Sequence, residues 1–118
     1  MTTRETIERY FELLKARGDW PSLFSATATF TSFASPVRQI AGREMFVKAT
    51  AGFYGMIREV QVRDLLVDGE RACALTHYRL EPPNGRAAFE SDVAEVFTVR
   101  GGGIESFGIY FDTAPYPK

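Results

Sequence analysis

The sequence predicts an α+β domain: three helices first, then a run of long antiparallel strands. Two observations carry that expectation. Apolar residues recur at helical spacing in the first half of the chain, and from Ile57 onward the period changes to two. Helices and strands segregated along a chain build α+β folds, whereas alternating ones build parallel sheets. Size adds a bound, because 118 residues are one domain's worth, and 45% hydrophobic with 25% charged residues suits a single core. The whole chain, 1–118, therefore reads as one domain.

The first helix is the clearest element. Thr2 and Glu5 form a capping-box pattern. Ile7, Tyr10, Phe11 and Leu14 fall at i, i+3, i+4 and i+7, on one face. Lys15 and Arg17 suit the negative end of the helix dipole, and Gly18 is expected as the left-handed cap. Tyr10 raises a question, since a stripe that needs only hydrocarbon carries a phenol. Either it is core, or its hydroxyl points into a pocket. Asp19 is expected to cap a second helix opened by Trp20 and Pro21 and running to about Ser25.

A short strand is expected over Thr29–Phe33 and another near Ile40, followed by a third helix over Gly42–Phe53, which Gly52 and Gly55 weaken and end. "REVQVRDLLVDGE" reads as a strand closing on an Asp68-Gly69 turn. Two long strands then flank Pro82-Pro83-Asn84-Gly85, and "IESFGIYFD" forms the last one after Gly101-Gly102-Gly103. The end, "TAPYPK", is expected to be loosely held.

Composition removes several function classes. Net charge is −1 with no Lys/Arg run, which argues against a nucleic-acid partner. No signal core and no 18-residue apolar run occurs, so no membrane association is expected and a cytoplasmic location is. The lone Cys73 has no intrachain partner. One His and one Cys leave no zinc site of those ligands, and no cofactor motif is found. A Ser–His–Asp triad survives counting, but no G-x-S-x-G elbow is present. Ten Phe, five Tyr and one Trp provide the walls of either a core or an apolar pocket.

The carboxylates of "FESDVAEVFTVR" are more informative. In a strand Val93, Glu95, Phe97 and Val99 share one face, and Asp92, Ala94, Val96 and Thr98 the other. If Glu95 faces inward, burial raises its pKa and fits it for acid–base work. The alternation alone allows either face to be the inner one.

The order of three helices, the "GDW" turn, "AGRE" opening helix three and the strands ending in "IESFGIYFD" resembles the nuclear-transport-factor-2-like superfamily. Within it, the chain resembles the branch of SnoaL-like polyketide cyclases and ketosteroid isomerases. The resemblance implies a cone of three helices on a strongly curved, mostly antiparallel sheet, with a deep apolar pocket and dimerisation through the outer sheet face. It implies a homodimer and a small apolar molecule as partner, without a cofactor or metal.

It also assigns residues. Arg9-Tyr10-Phe11-Glu12-Leu13 matches the setting of the isomerase tyrosine that donates to an enolate oxygen, which gives Tyr10 that role. Asp92-Val93-Ala94-Glu95-Val96 matches the setting of the neutral acid that is the second donor, which gives it to Glu95. The general base falls on Ser32, which cannot abstract a carbon-bound proton, and the acidic pair before that strand is Ala26 and Thr27. His77 and Asp112 are substitute bases, although the alternation turns His77 outward. For the pocket wall the resemblance suggests Thr76, Tyr78 and Leu80 on one strand and Phe97 beside Glu95. Phe107, Ile109 and Phe111 come from the last strand, with Trp20, Phe30 and Phe53 closing the pocket. The expected function is an isomerase, cyclase or dehydratase of a small cyclic apolar molecule, lacking the usual base. The alternative is a non-catalytic small-molecule-binding or dimerisation domain of the same fold.

Overall fold

The computed structural model describes residues 1–116. Of the end expected to be loosely held, Tyr116 is instead tied down, its hydroxyl donating to Ser91 Oγ at 2.9 Å and its ring packing on Phe89 and Phe111, while Pro117 and Lys118 lie outside the described residues. Helix α1 spans Thr3–Lys15. Its capping box closes in both directions: the Thr2 hydroxyl accepts from the Glu5 amide at 3.1 Å, and the Glu5 carboxylate accepts from the Thr2 amide at 2.8 Å. Thr6, Ile7, Tyr10, Phe11 and Leu14 make its buried face.

The helix ends one residue earlier than expected. Arg17, not Gly18, takes the left-handed conformation (φ 55°). The amide of Gly18 donates to the Leu13 carbonyl at 2.8 Å and that of Arg17 to Leu14 at 3.2 Å. This is the double bond pattern of a Schellman cap, whose left-handed position falls on the first residue past the cap, Ala16. The Arg17 guanidinium donates to the Ile57 carbonyl and holds the turn against the sheet.

The expectation of three N-terminal helices is corrected to two helices and a turn. Trp20–Leu23 is a four-residue 3-10 turn, with no side-chain cap from Asp19. Strand β1 begins at once, at Phe24, and runs to Ser32. Strand pairing outcompetes a second helix here, because Phe24 already faces Ile104 of the last strand and is buried. The third expected helix lies within the sheet's sequence rather than ahead of it. Strand β2, Arg38–Ala41, precedes helix α2, Arg43–Met56. Gly42 enters α2 at φ 95°, a region that disfavours any Cβ. Gly52 and Gly55 do not end the helix at Phe53, because a glycine costs a helix only about 1 kcal/mol.

Four strands follow: β3 Ile57–Asp68, β4 Arg71–Leu80, β5 Phe89–Arg100 and β6 Gly103–Phe111. The sheet order is β2-β1-β6-β5-β4-β3. Every pair is antiparallel except β1 with β6. The fold is thus α+β with a mixed six-stranded sheet. Register shifts in β1, β3 and β6 mark the places where bulged strands bend.

Burial settles the alternation left open by the sequence. On β4, Ala72, Ala74, Thr76, Tyr78 and Leu80 face inward; on β5, Ser91, Val93, Glu95, Phe97 and Val99 do. Both helices lie against this inner face. Tyr10 is the hub of the aromatic core, in edge contact with Phe11, Trp20, Phe24, Phe97 and Phe107 at centroid distances of 4.9 to 6.2 Å.

Candidate active site

A cavity of about 280 Å³ lies between α2 and the inner face of the sheet. Phe30 and Ser32 of β1, Val93 and Glu95 of β5, and Phe107, Ile109 and Phe111 of β6 form its sheet side. Phe46, Thr50, Phe53, Tyr54 and Met56 of α2 form the opposite wall, and Tyr116 closes one end. The register explains the arrangement. Ile109 faces Ser32 on one side and Glu95 on the other. Ser32 and Glu95 therefore lie in one row on one face, two strand spacings or roughly 10 Å apart.

Glu95 is only 2% exposed, yet it is part of the cavity wall. The Thr76 hydroxyl donates to its Oε2 at 2.7 Å, and the Tyr78 hydroxyl donates to its Oε1 at 2.7 Å. Burial pushes its pKa up to about 7, although these two bonds pull the other way. Thr76 and Tyr78 thus stand behind the acid and hold it, instead of lining the cavity.

Tyr10 is also displaced from its expected place. Its ring is packed within the core, it does not line the cavity, and its hydroxyl meets that of Tyr54 at 2.6 Å. Of this pair, Tyr54 is the phenol on the cavity wall. Burial holds both phenols well above their usual pKa, so both are neutral at ordinary pH. Trp20 stacks on the Tyr54 ring at 4.0 Å and fixes it from behind. Trp20 itself faces a separate surface groove of about 550 Å³, and Leu80 and Phe97 lie in the core. The groove is larger and Tyr54 borders it too, but its other ionisable residues, Lys15, Arg17, Arg58 and Glu59, are exposed, so the smaller cavity with the buried Glu95 is the candidate site.

Reading α2 only to Phe53 hid Tyr54. Phe46, Thr50, Phe53 and Tyr54 fall at i, i+4, i+7 and i+8, a helical stripe that the sequence does contain. The substitute bases point elsewhere. His77 is on the outer face, its ring nitrogens 2.7 Å from Asp92 and 2.8 Å from Glu90. Those two carboxylates raise its pKa. Asp112 accepts from the Ala114 amide in the turn after β6. Among the described residues no group of three or more His, Cys, Asp or Glu side chains is arranged to hold a metal, and no helix is long and apolar enough to cross a membrane.

The family model of the SnoaL-like domain matches residues 7–107. The chain belongs to the SnoaL-like domain family. No curated protein matches this SnoaL-like chain. Among solved structures it is similar to a nuclear-transport-factor-2-like protein from Burkholderia thailandensis, with TM-score 0.83 and 16% identity over 98% of this chain and 94% of that one. A protein from Jannaschia sp. named after the SnoaL-like polyketide cyclases gives TM-score 0.79 at 18% identity, over 98% and 93% of the two chains. A hypothetical protein with a ketosteroid-isomerase-like fold from Catenulispora acidiphila, solved in complex with trimethylamine, gives 0.77 at 20%, over 94% and 88%. At these identities the likeness is one of fold.

Proposed function

We propose that this SnoaL-like domain is an acid–base enzyme that moves a proton on a small, mostly apolar carbonyl compound, as an isomerase, cyclase or dehydratase does. One observation carries the reading: Glu95 is a buried carboxyl on the wall of an apolar cavity, with its pKa raised to about 7. A group titrating near neutrality is suited to take and return a proton. With Ser32 where an aspartate base is expected, Glu95 is the acid left on that row of the wall.

The ionised carboxylate takes a proton from the carbon next to the carbonyl. The Tyr54 hydroxyl donates to the carbonyl oxygen as negative charge develops there, and Tyr10 donates in turn to Tyr54 at 2.6 Å. Glu95 then returns the proton to carbon. Tyr54 thus touches substrate, while Tyr10 positions and polarises it from the core. The small volume and the apolar wall favour a compact ligand.

The test is exchange of α-hydrogens of cyclopentanone and of a β,γ-unsaturated cyclic ketone in deuterated buffer, followed by NMR. Wild type is expected to exceed Glu95→Gln by about 10²–10⁴-fold, with a rate that rises through about pH 7. Equal rates in the two proteins sink the proposal. The absence of an acid at Ser32 favours a second reading, a binding module with the same cavity. Ligand binding without exchange in either protein selects it.

A further inference from the structure

Seven of the thirteen residues around the cavity are aromatic, and Glu95 is the one charged side chain among them. Among the described residues no Lys, Arg or His lines the cavity. The carboxylate form of Glu95 therefore has two hydroxyl donors but, among the described residues, no cation within its pocket. A buried charge without a counter-charge is a mismatch that a ligand can complete. The faces of aromatic rings carry negative potential, and a soft cation is attracted to them most strongly where water is excluded.

We infer that the cavity takes a small alkylated ammonium group, held over the Phe and Tyr faces with its charge directed at the Glu95 carboxylate. The inference rests on the cavity reading given above and names the ligand class of that same site; it does not depend on turnover. It also adds something a purely apolar pocket lacks, which is discrimination between a cation and an uncharged molecule of the same shape.

The recognition is pH-dependent, and Glu95 sets the dependence. The titratable groups around it are Tyr10 from α1, Tyr54 from α2, Tyr78 from β4 and Tyr116 from the tail, with Cys73 on the outer face of β4 close enough to feel its charge. Burial raises the pKa of each of these, so all stay neutral while Glu95 titrates. Binding of a cation thus strengthens as pH rises through about 7 and weakens below it.

The experiment is an NMR titration of the full chain with choline and with its uncharged carbon isostere, 3,3-dimethylbutan-1-ol. At pH 8 choline is expected to bind at least ten-fold more tightly than the alcohol. Between pH 8 and pH 5.5 its affinity falls about thirty-fold, following the ionised fraction of an acid with pKa about 7, while that of the alcohol stays level. In Glu95→Gln the preference and the pH dependence disappear and the alcohol still binds. Equal affinities in wild type at pH 8, no choline binding, or a preference that survives in Glu95→Gln each overturn the inference. The wild-type pH series stands even if the variant fails to fold. Choline binding without ketone exchange overturns only the acid–base reading, and exchange without choline preference overturns only this one.

Discussion

Above pH 7 the Glu95 carboxylate is held in an apolar wall by two hydroxyls, and the native state is destabilised by keeping it there. Its native pKa of about 7 lies above the 4.5 of an unperturbed glutamate. The folded state therefore binds that proton more tightly than the unfolded state does. The resulting stability is fully present below pH 4.5, declines as pH rises, and is gone above about 7, a change on the order of 3 kcal/mol. Urea unfolding at pH 5 and pH 8 measures it: wild type loses more stability over that span than Glu95→Gln, which keeps only the smaller decline that the raised pKa of His77 gives and exceeds wild type at pH 8. Tyr54→Phe and Tyr10→Phe separate contact from support. Each leaves a buried hydroxyl without its partner and is expected to lower stability by about 1–3 kcal/mol. Ketone exchange falls further in Tyr54→Phe, because Tyr54 is the one on the wall. Alternation placed Glu95 beside Phe97 but left the inner face undecided, since both faces of β5 carry an acid. The sequence setting of Tyr10 pointed to the right helix face. Whether its hydroxyl or that of Tyr54 meets the cavity depends on contacts 44 residues apart along the chain, which no local pattern encodes.

Element boundaries moved where two local preferences competed. The four residues of Trp20–Leu23 carry a helix-opening proline, but Phe24 is claimed by β6 and the helix stops. The left-handed residue after α1 is Arg17, because cap geometry counts from the last hydrogen-bonded turn and not from the nearest glycine. The long strands, by contrast, were legible, because their period-two pattern and their turns agree. Helix α2 keeps Gly52 and Gly55 in its interior, and a Cβ at either meets nothing within 4 Å. Gly52→Ala is expected to stabilise the protein by about 0.5–1 kcal/mol by restricting the unfolded chain. Gly42→Ala at φ 95° lowers stability instead. Thermal melts of the two variants give opposite shifts if the helix extends to Met56 as described.

At the scale of the molecule, the outer sheet face is as organised as the inner one. Leu75, Ala94 and Tyr110 form one row across β4, β5 and β6, and Leu66, Cys73, Val96 and Gly108 form the next across β3 to β6. Phe33 lies flat over Gly108 and stacks on Tyr110 at 4.4 Å. Leu66, Leu75 and Tyr110 are 55%, 42% and 51% exposed. Exposed apolar residues scattered singly are ordinary, but a contiguous patch marks an interface. We propose that two copies pair through this face. Sedimentation is expected to show a dimer for wild type and a monomer for Leu75→Glu; a wild-type monomer at high concentration removes the proposal.

The parallel pairing of β1 with β6 has a consequence for how the chain is made. The strand synthesised last is an internal one, seated between the first strand and β5. Until it leaves the ribosome, the nascent polypeptide has two disconnected ladders, β2 with β1 and β3 to β5, and neither can be closed over the other. A chain halted before Gly103 should stay sensitive to protease at every stage of its translation, and one extended past Phe111 should become resistant in a single step.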